Sequence, residues 1–114
     1  MKHDALTMAL LYDYYGELLT EKQQTCFDLY YNQDLSLSEI AEDLGVTRQG
    51  VHDTLARAEA QLRTFEEKTG CIAREEAVRA AAGQIEEAAR ALLSVPDAAG
   101  PARQILAAVN GIKE

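Results

Sequence analysis

The sequence predicts an all-α protein, with a helix-turn-helix head over residues 1–70 and an alanine-rich helical tail over residues 71–114. Three observations carry this reading. No stretch alternates apolar and polar residues for five or more positions between turn residues, so strands have no signal. Thr20-Glu21-Lys22-Gln23 and Ser36-Leu37-Ser38-Glu39 both have the form of a capping box, in which the hydroxyl accepts from a free backbone N–H and the fourth side chain returns to the cap. All five tyrosines and both phenylalanines precede Cys71, whereas the last 44 residues hold 13 alanines and no aromatic ring. An aromatic side chain buries ~150 to 250 Å², so only the first part can build a large core, and the boundary falls near Gly70.

The first helix is expected from Asp4 to Leu19, where Met8, Leu11, Tyr15 and Leu18 are spaced three, four and three apart and share one face. The first capping box opens a second helix that runs to about Tyr31. Asn32-Gln33-Asp34 is a turn, and the second capping box starts a short third helix from Leu37 to Leu44. Gly45 can take the left-handed conformation that ends a helix without a Cβ penalty, and Thr47 is placed to cap a fourth helix from Arg48 to about Lys68.

Leu37 to Leu55, LSEIAEDLGVTRQGVHDTL, has the residue types of a helix-turn-helix at the right spacing. Ala41 is small where the two axes approach, Gly45 makes the turn, and Ile40, Leu44, Val51 and Leu55 are expected to fill the angle between the helices. In this register Thr47, Arg48, Gln49, His52 and Asp53 lie at the outward start of the fourth helix, where side chains that read nucleic acid or a partner sit. An ordinary tight corner between two helices would use the same residues. Only Arg48, Gln49 and His52 could donate to base edges, and Asp53 beside them repels phosphate.

Charge restricts the partners further. The chain carries 11 basic and 19 acidic residues, a formal −8, and the head holds most of the excess with 6 basic against 13 acidic residues in positions 1–69. Coating nucleic acid unaided draws on Lys and Arg that displace counterions, so this balance opposes it. No run approaches the roughly 18 to 20 apolar residues of a bilayer span, and the first 19 residues lack the apolar block of a secretory leader, so no membrane association is expected and the expected location is the cytoplasm.

Enzymatic readings do poorly. His3 and His52 are far apart, and no GxGxxG, Walker lysine loop or GxSxG is present, so the sequence calls for no catalytic residue and no cofactor. Cys26 and Cys71 lie 45 positions apart without a CxxC or histidines at ligand spacing, so no metal site is expected either. Cys26 beside Phe27 reads as a small core hydrophobe, and Cys71 as either a cap contact or an exposed thiol. Glu42-Asp43, Glu66-Glu67 and Glu86-Glu87 are adjacent on helices, about 100° apart, and read as solvated surface.

LLTEKQQTCFDLYYNQDLSLSEIAEDLGVTRQGVHDTLARAEAQL, Leu18 to Leu62, with the preceding LYDYYGE, resembles the YlxM family of small bacterial proteins. The resemblance covers about residues 10–68, and the tail departs from it in being longer and richer in alanine. Members of that family have a fold similar to region four of bacterial sigma factors and are typically encoded beside genes of the signal recognition particle. The resemblance implies a cytoplasmic regulator or accessory of that particle, binding one of its protein or RNA components through the helix-turn-helix head. The other class of reading is a sequence-specific DNA-binding regulator.

A second pattern concerns self-association. Val51, Leu55, Ala58, Leu62 and Phe65 are spaced as a coiled-coil seam and should outrun a three-helix head; Val78, Ala82, Ile85, Ala89 and Leu92 repeat the spacing in the tail. The tail is expected as one helix from about Ala73 to Ser94, stopped by Val95-Pro96, then a short helix opening at Pro101 and ending before Gly111. A homodimer through either seam is the expectation; the alternative is that the tail folds back on its own head.

Overall fold

The computed structural model describes residues 4–113. In order along the chain these form α1 (Ala5–Tyr15), a tight 3₁₀ turn (Gly16–Leu18), α2 (Glu21–Phe27), a wide π turn (Asp28–Asn32), α3 (Leu37–Leu44), α4 (Arg48–Thr69), α5 (Cys71–Ala91), a second 3₁₀ turn (Leu92–Ser94) and α6 (Ala99–Lys113). No strand occurs among the described residues, and the protein is all-α. Among the described residues no helix is long and apolar enough to cross a membrane. His3 lies outside the described residues. Packing divides the chain into two compact units, Met1–Gly70 and Cys71–Glu114.

In the first unit, local chemistry sets each boundary. Asp4 caps α1, accepting from the Thr7 amide at 3.2 Å, and the Thr7 hydrogen bonds hold its carboxyl below the usual carboxylate range. Both capping boxes are closed: Gln23 N to Thr20 Oγ1 at 3.2 Å with Thr20 N to Gln23 Oε1 at 2.9 Å, and Glu39 N to Ser36 Oγ at 3.1 Å with Ser36 N to Glu39 Oε1 at 2.9 Å. Gly45 ends α3 at φ 66°, a region that penalises any Cβ, and the Val46 amide turns back to the Ala41 carbonyl at 3.0 Å. Thr47 Oγ1 caps α4 by accepting from the Gly50 amide at 3.0 Å.

The long α4 is the spine on which α1, α2 and α3 pack. Its Val51, Leu55, Ala58 and Leu62 are all at most 4% exposed, and Phe65 meets the Tyr15 ring at 5.9 Å. The α4 seam is therefore consumed inside its own head, contrary to the expectation that it would outrun it: α1 packs on α4 as well and brings Tyr15 to Phe65. Tyr12, Phe27 and Tyr31 stack in a column, with centroids 4.4 and 4.5 Å apart, linking α1 to α2 and the π turn. The Tyr31 hydroxyl carries this column to α4 by donating to Glu59 at 2.9 Å. Cys26 is buried at the core, where burial pushes its thiol pKa up.

Three sequence expectations change. The inward leucine after α1 is Leu19, 5% exposed, and not Leu18, 66% exposed, because the 3₁₀ turn alters the helical phase. Leu44 does not fill the angle between α3 and α4: it is 37% exposed on the last turn of α3, and Cys26, Tyr30, Ile40, Ala41, Val51 and Leu55 close that core without it. The second helix does not stay α-helical to Tyr31; it widens after Phe27, with Gln33 N bonded to Asp28 O at 3.1 Å.

In the second unit α5 and α6 fold back on one another as a helical hairpin. Alanines make the close approach: Ala82 and Ala89 on α5 and Ala102 on α6 are at most 2% exposed, with Val109 beside them. The predicted tail seam divides accordingly. Its alanines turn into the hairpin, while Val78 and Ile85, both 47% exposed, and Leu92, 42% exposed, form a stripe at intervals of seven on the outside. α6 begins at Ala99, two residues before Pro101, which sits within the first turn where no amide donor is needed, and it continues through Gly111.

Candidate partner-binding face of the helix-turn-helix

The start of α4 is held out by its cap and by the apolar residues beneath it. Thr47, Arg48, Gln49, His52 and Asp53 are all exposed. At 100° per residue, with Val51, Leu55, Ala58 and Leu62 facing the core, Gln49 and Asp53 lie on the opposite side of the helix and Arg48 and His52 on its flank. Apart from the cap residue Thr47, they therefore form two groups and not one donor cluster.

On the outer side, Asp53 organises its neighbours. Gln49 Nε2 donates to Asp53 Oδ1 at 2.9 Å, and His52 Nδ1 lies 3.3 Å from the same oxygen. The His52 contact, and after it the Gln49 hydrogen bond, hold the Asp53 carboxyl below its ordinary range. A base edge would have to displace this carboxylate before either donor could reach it.

On the flank, Arg48 and His52 border an open recess of about 230 Å³, whose apolar lining includes Tyr30, Leu37, Leu55 and Ala56. Glu59 lies on the same lining, eleven residues or about 16 Å farther along the helix. A hydrogen bond to the Glu59 carboxylate adds to burial in holding the Tyr31 phenol above its ordinary range. The recess thus offers a cation and an imidazole at one end, an apolar middle and a carboxylate at the other. Sequence periodicity could place Arg48, His52, Ala56 and Glu59 on one side of α4; it carried no signal that Tyr30 and Leu37 would close the opposite wall.

Cys71 is half-buried at the start of α5, with Arg74 Nη2 at 3.8 Å from its sulfur. Among the described residues, no group of His, Cys, Asp and Glu is placed to hold a metal ion.

Comparison with known proteins places this geometry. Residues 2–94 match the UPF0122 family, described as "Putative helix-turn-helix protein, YlxM / p13 like". The match extends past the head and α5 to the end of the second 3₁₀ turn, beyond the 10–68 of the sequence resemblance. A UPF0122 protein of Thermoanaerobacter sp. (strain X514) is 54% identical over 78 residues, 68% of this chain and 67% of its own length. One from Desulforamulus reducens is 62% identical over 65 residues, 57% of this chain and 56% of its own. One from Halalkalibacterium halodurans is 44% identical over 88 residues, 77% of this chain and 81% of its own. With an all-α fold, a capped corner at Gly45 and a family match across most of its length, the chain belongs to the UPF0122 family of YlxM/p13-like helix-turn-helix proteins.

Proposed function

We propose that this protein is a cytoplasmic accessory of the signal recognition particle pathway, and that residues 1–70 bind a protein or ribonucleoprotein component through the start of α4. The observation that carries the reading is the Asp53 carboxylate at the tip of the helix-turn-helix, which occupies Gln49 and His52. In a head of net −7 over residues 1–69, it opposes the approach of free DNA and leaves Arg48 as an exposed cation beside an apolar recess. A partner that fills the recess with an apolar group and offers a carboxylate or phosphate to Arg48 matches this chemistry; a bare duplex does not.

We further infer that residues 71–114 pair two copies of the chain. Val78 and Ile85 on α5, with Leu92 on the turn beyond it, and the exposed Ile105 and Ile112 on α6 repeat at seven-residue intervals, the spacing of a helix–helix seam. Positions 70–114 carry 5 basic and 6 acidic residues, a balance that lets like surfaces meet.

The deciding experiment sets a pull-down with the particle's GTPase beside gel shifts against the particle's RNA and genomic DNA fragments, for the native protein and Arg48→Glu. The expected result is capture of a particle component, weakened by Arg48→Glu, with weak and sequence-independent DNA binding. Submicromolar binding to one DNA duplex at physiological salt, lost in Arg48→Glu, would establish transcriptional regulation instead, since one bidentate arginine–guanine contact contributes ~1 to 3 kcal/mol of discrimination.

A further inference from the structure

α1 is apolar on two opposite faces. Met8, Leu11 and Tyr15 point into the core, while on the other side Leu6 is 85%, Leu10 40% and Tyr14 39% exposed, and Leu18 continues the line at 66%. Leu6, Leu10 and Tyr14 recur at every fourth position on α1, which makes a ridge of the kind that fits between the ridges of a second helix crossing at about −50°, and Leu18 adds an exposed side chain on the 3₁₀ turn beyond it. Helices apolar all round are ordinarily covered on all sides. The stretch that carries the ridge is acidic: residues 4–21 contain Asp4, Asp13, Glu17 and Glu21 and no lysine or arginine, while Lys22 follows at its end and Arg63 of α4 acts on Asp4. Asp4 is engaged with Thr7 at the cap. Asp13 and Glu17, one turn apart and exposed, run beside the leucines.

We propose that this ridge docks an amphipathic helix of another protein, with apolar residues four apart and lysines or arginines flanking them. Charge complementarity selects that occupant. In a two-fold contact between two copies, the same surface meets itself, so the acidic stretch that holds Asp13 and Glu17 would meet an equally acidic one, whereas a basic-flanked helix supplies both the apolar cover and the opposite charge. The ridge lies on α1, away from the exposed start of α4, and its occupancy is independent of the partner proposed for Arg48.

The test titrates the full chain into a fluorescein-labelled synthetic helix of about eighteen residues, five turns, made of Leu, Lys and Ala, with Leu at every fourth position and Lys on either side. A second peptide has Glu in place of every Lys. The Lys peptide is expected to give saturable anisotropy and the Glu peptide none. Leu6→Ser/Leu10→Ser, which leaves the charge unchanged, should weaken the Lys peptide about tenfold or more, because the apolar contact is removed. Asp13→Lys/Glu17→Lys should transfer the preference to the Glu peptide. Circular dichroism of both variants checks that the head stays helical. Equal affinity of the Lys peptide for the native protein and the serine variant would reduce the effect to bulk charge and overturn the proposal, as would no binding or an unchanged preference after charge reversal. A fall in solution mass on Leu6→Ser/Leu10→Ser would assign the ridge to a second copy of the chain and overturn it too.

Discussion

Gln49 and Asp53, one turn apart on α4, are hydrogen-bonded at 2.9 Å, so the residue best suited to read a base is spent on the residue that would repel the phosphate next to it. With His52 at 3.3 Å from the same oxygen, one carboxylate governs the whole outer side of the helix start.

Asp53→Ala is therefore expected to raise, not lower, affinity for nucleic acid. It frees two donors and removes one negative charge, and binding to RNA or DNA at low salt should strengthen several-fold with a steeper salt dependence. Gel shifts over a salt series measure it, and unchanged affinity would show that the carboxylate does not control the face.

Ala41 sits 7% exposed where α3 meets α4, and Ala107 is exposed on α6. Ala41→Leu should cost ~1 to 3 kcal/mol through overpacking, and Ala107→Leu should stay within about 0.5 kcal/mol. Denaturant unfolding of the two variants compares them directly.

Two helical glycines should respond differently to alanine. At Gly83 a Cβ meets nothing within 4 Å, so Gly83→Ala should stabilise by ~0.5 to 1 kcal/mol. At Gly50 a Cβ would stand 3.1 Å from Thr47 Oγ1, the atom that caps α4. Disturbing that cap costs ~0.5 to 2 kcal/mol, which offsets the propensity gain, so Gly50→Ala should bring no net stabilisation.

Alkaline pH should loosen the head through Tyr31. Its folded pKa is raised, by burial first and by the bond to Glu59 second, so the neutral phenol is the stabilised form. That contribution is complete below the unfolded value of about 10 and is lost as pH climbs toward the folded one. Tyr31→Phe should lower stability at neutral pH by ~1 kcal/mol and flatten its decline above about pH 10, as followed by urea unfolding at both ends of that range.

If the tail pairs two chains, Val78→Lys/Ile85→Lys should bring the mass in light scattering to that of one 12.5 kDa chain while helicity persists, because neither residue is buried in the hairpin.

Much of the fold was legible because its determinants are local. Thr20, Ser36, Gly45 and Thr47 each act within a few residues of themselves, and each sits where its chemistry predicts. Leu18, Leu19 and Leu44 were not legible, because their direction depends on whether the preceding turn is 3₁₀, α or left-handed, and one residue of phase moves a side chain about 100°. At the candidate face, exposure of Arg48, Gln49, His52 and Asp53 followed from the position of Val51 and Leu55 alone. The Gln49–Asp53 pair also has i, i+4 spacing, a readable signal, whereas the recess walled by Tyr30 and Leu37 depends on where α2 and α3 come to rest.

The π turn at Asp28–Asn32 holds one residue more than an α-helical turn would, and the side chain and carbonyl of Asp28 anchor its end through Asn32 and Gln33. It is thus a built-in insertion. Removing one residue there would let α2 wind on regularly, while Phe27 kept its place and everything up to Leu37 changed its angular setting. Loss of a codon at this turn would re-aim Tyr31 away from Glu59 and reshape the recess beside Arg48, so a change in chain length far from the tip of the helix-turn-helix could alter what that tip binds.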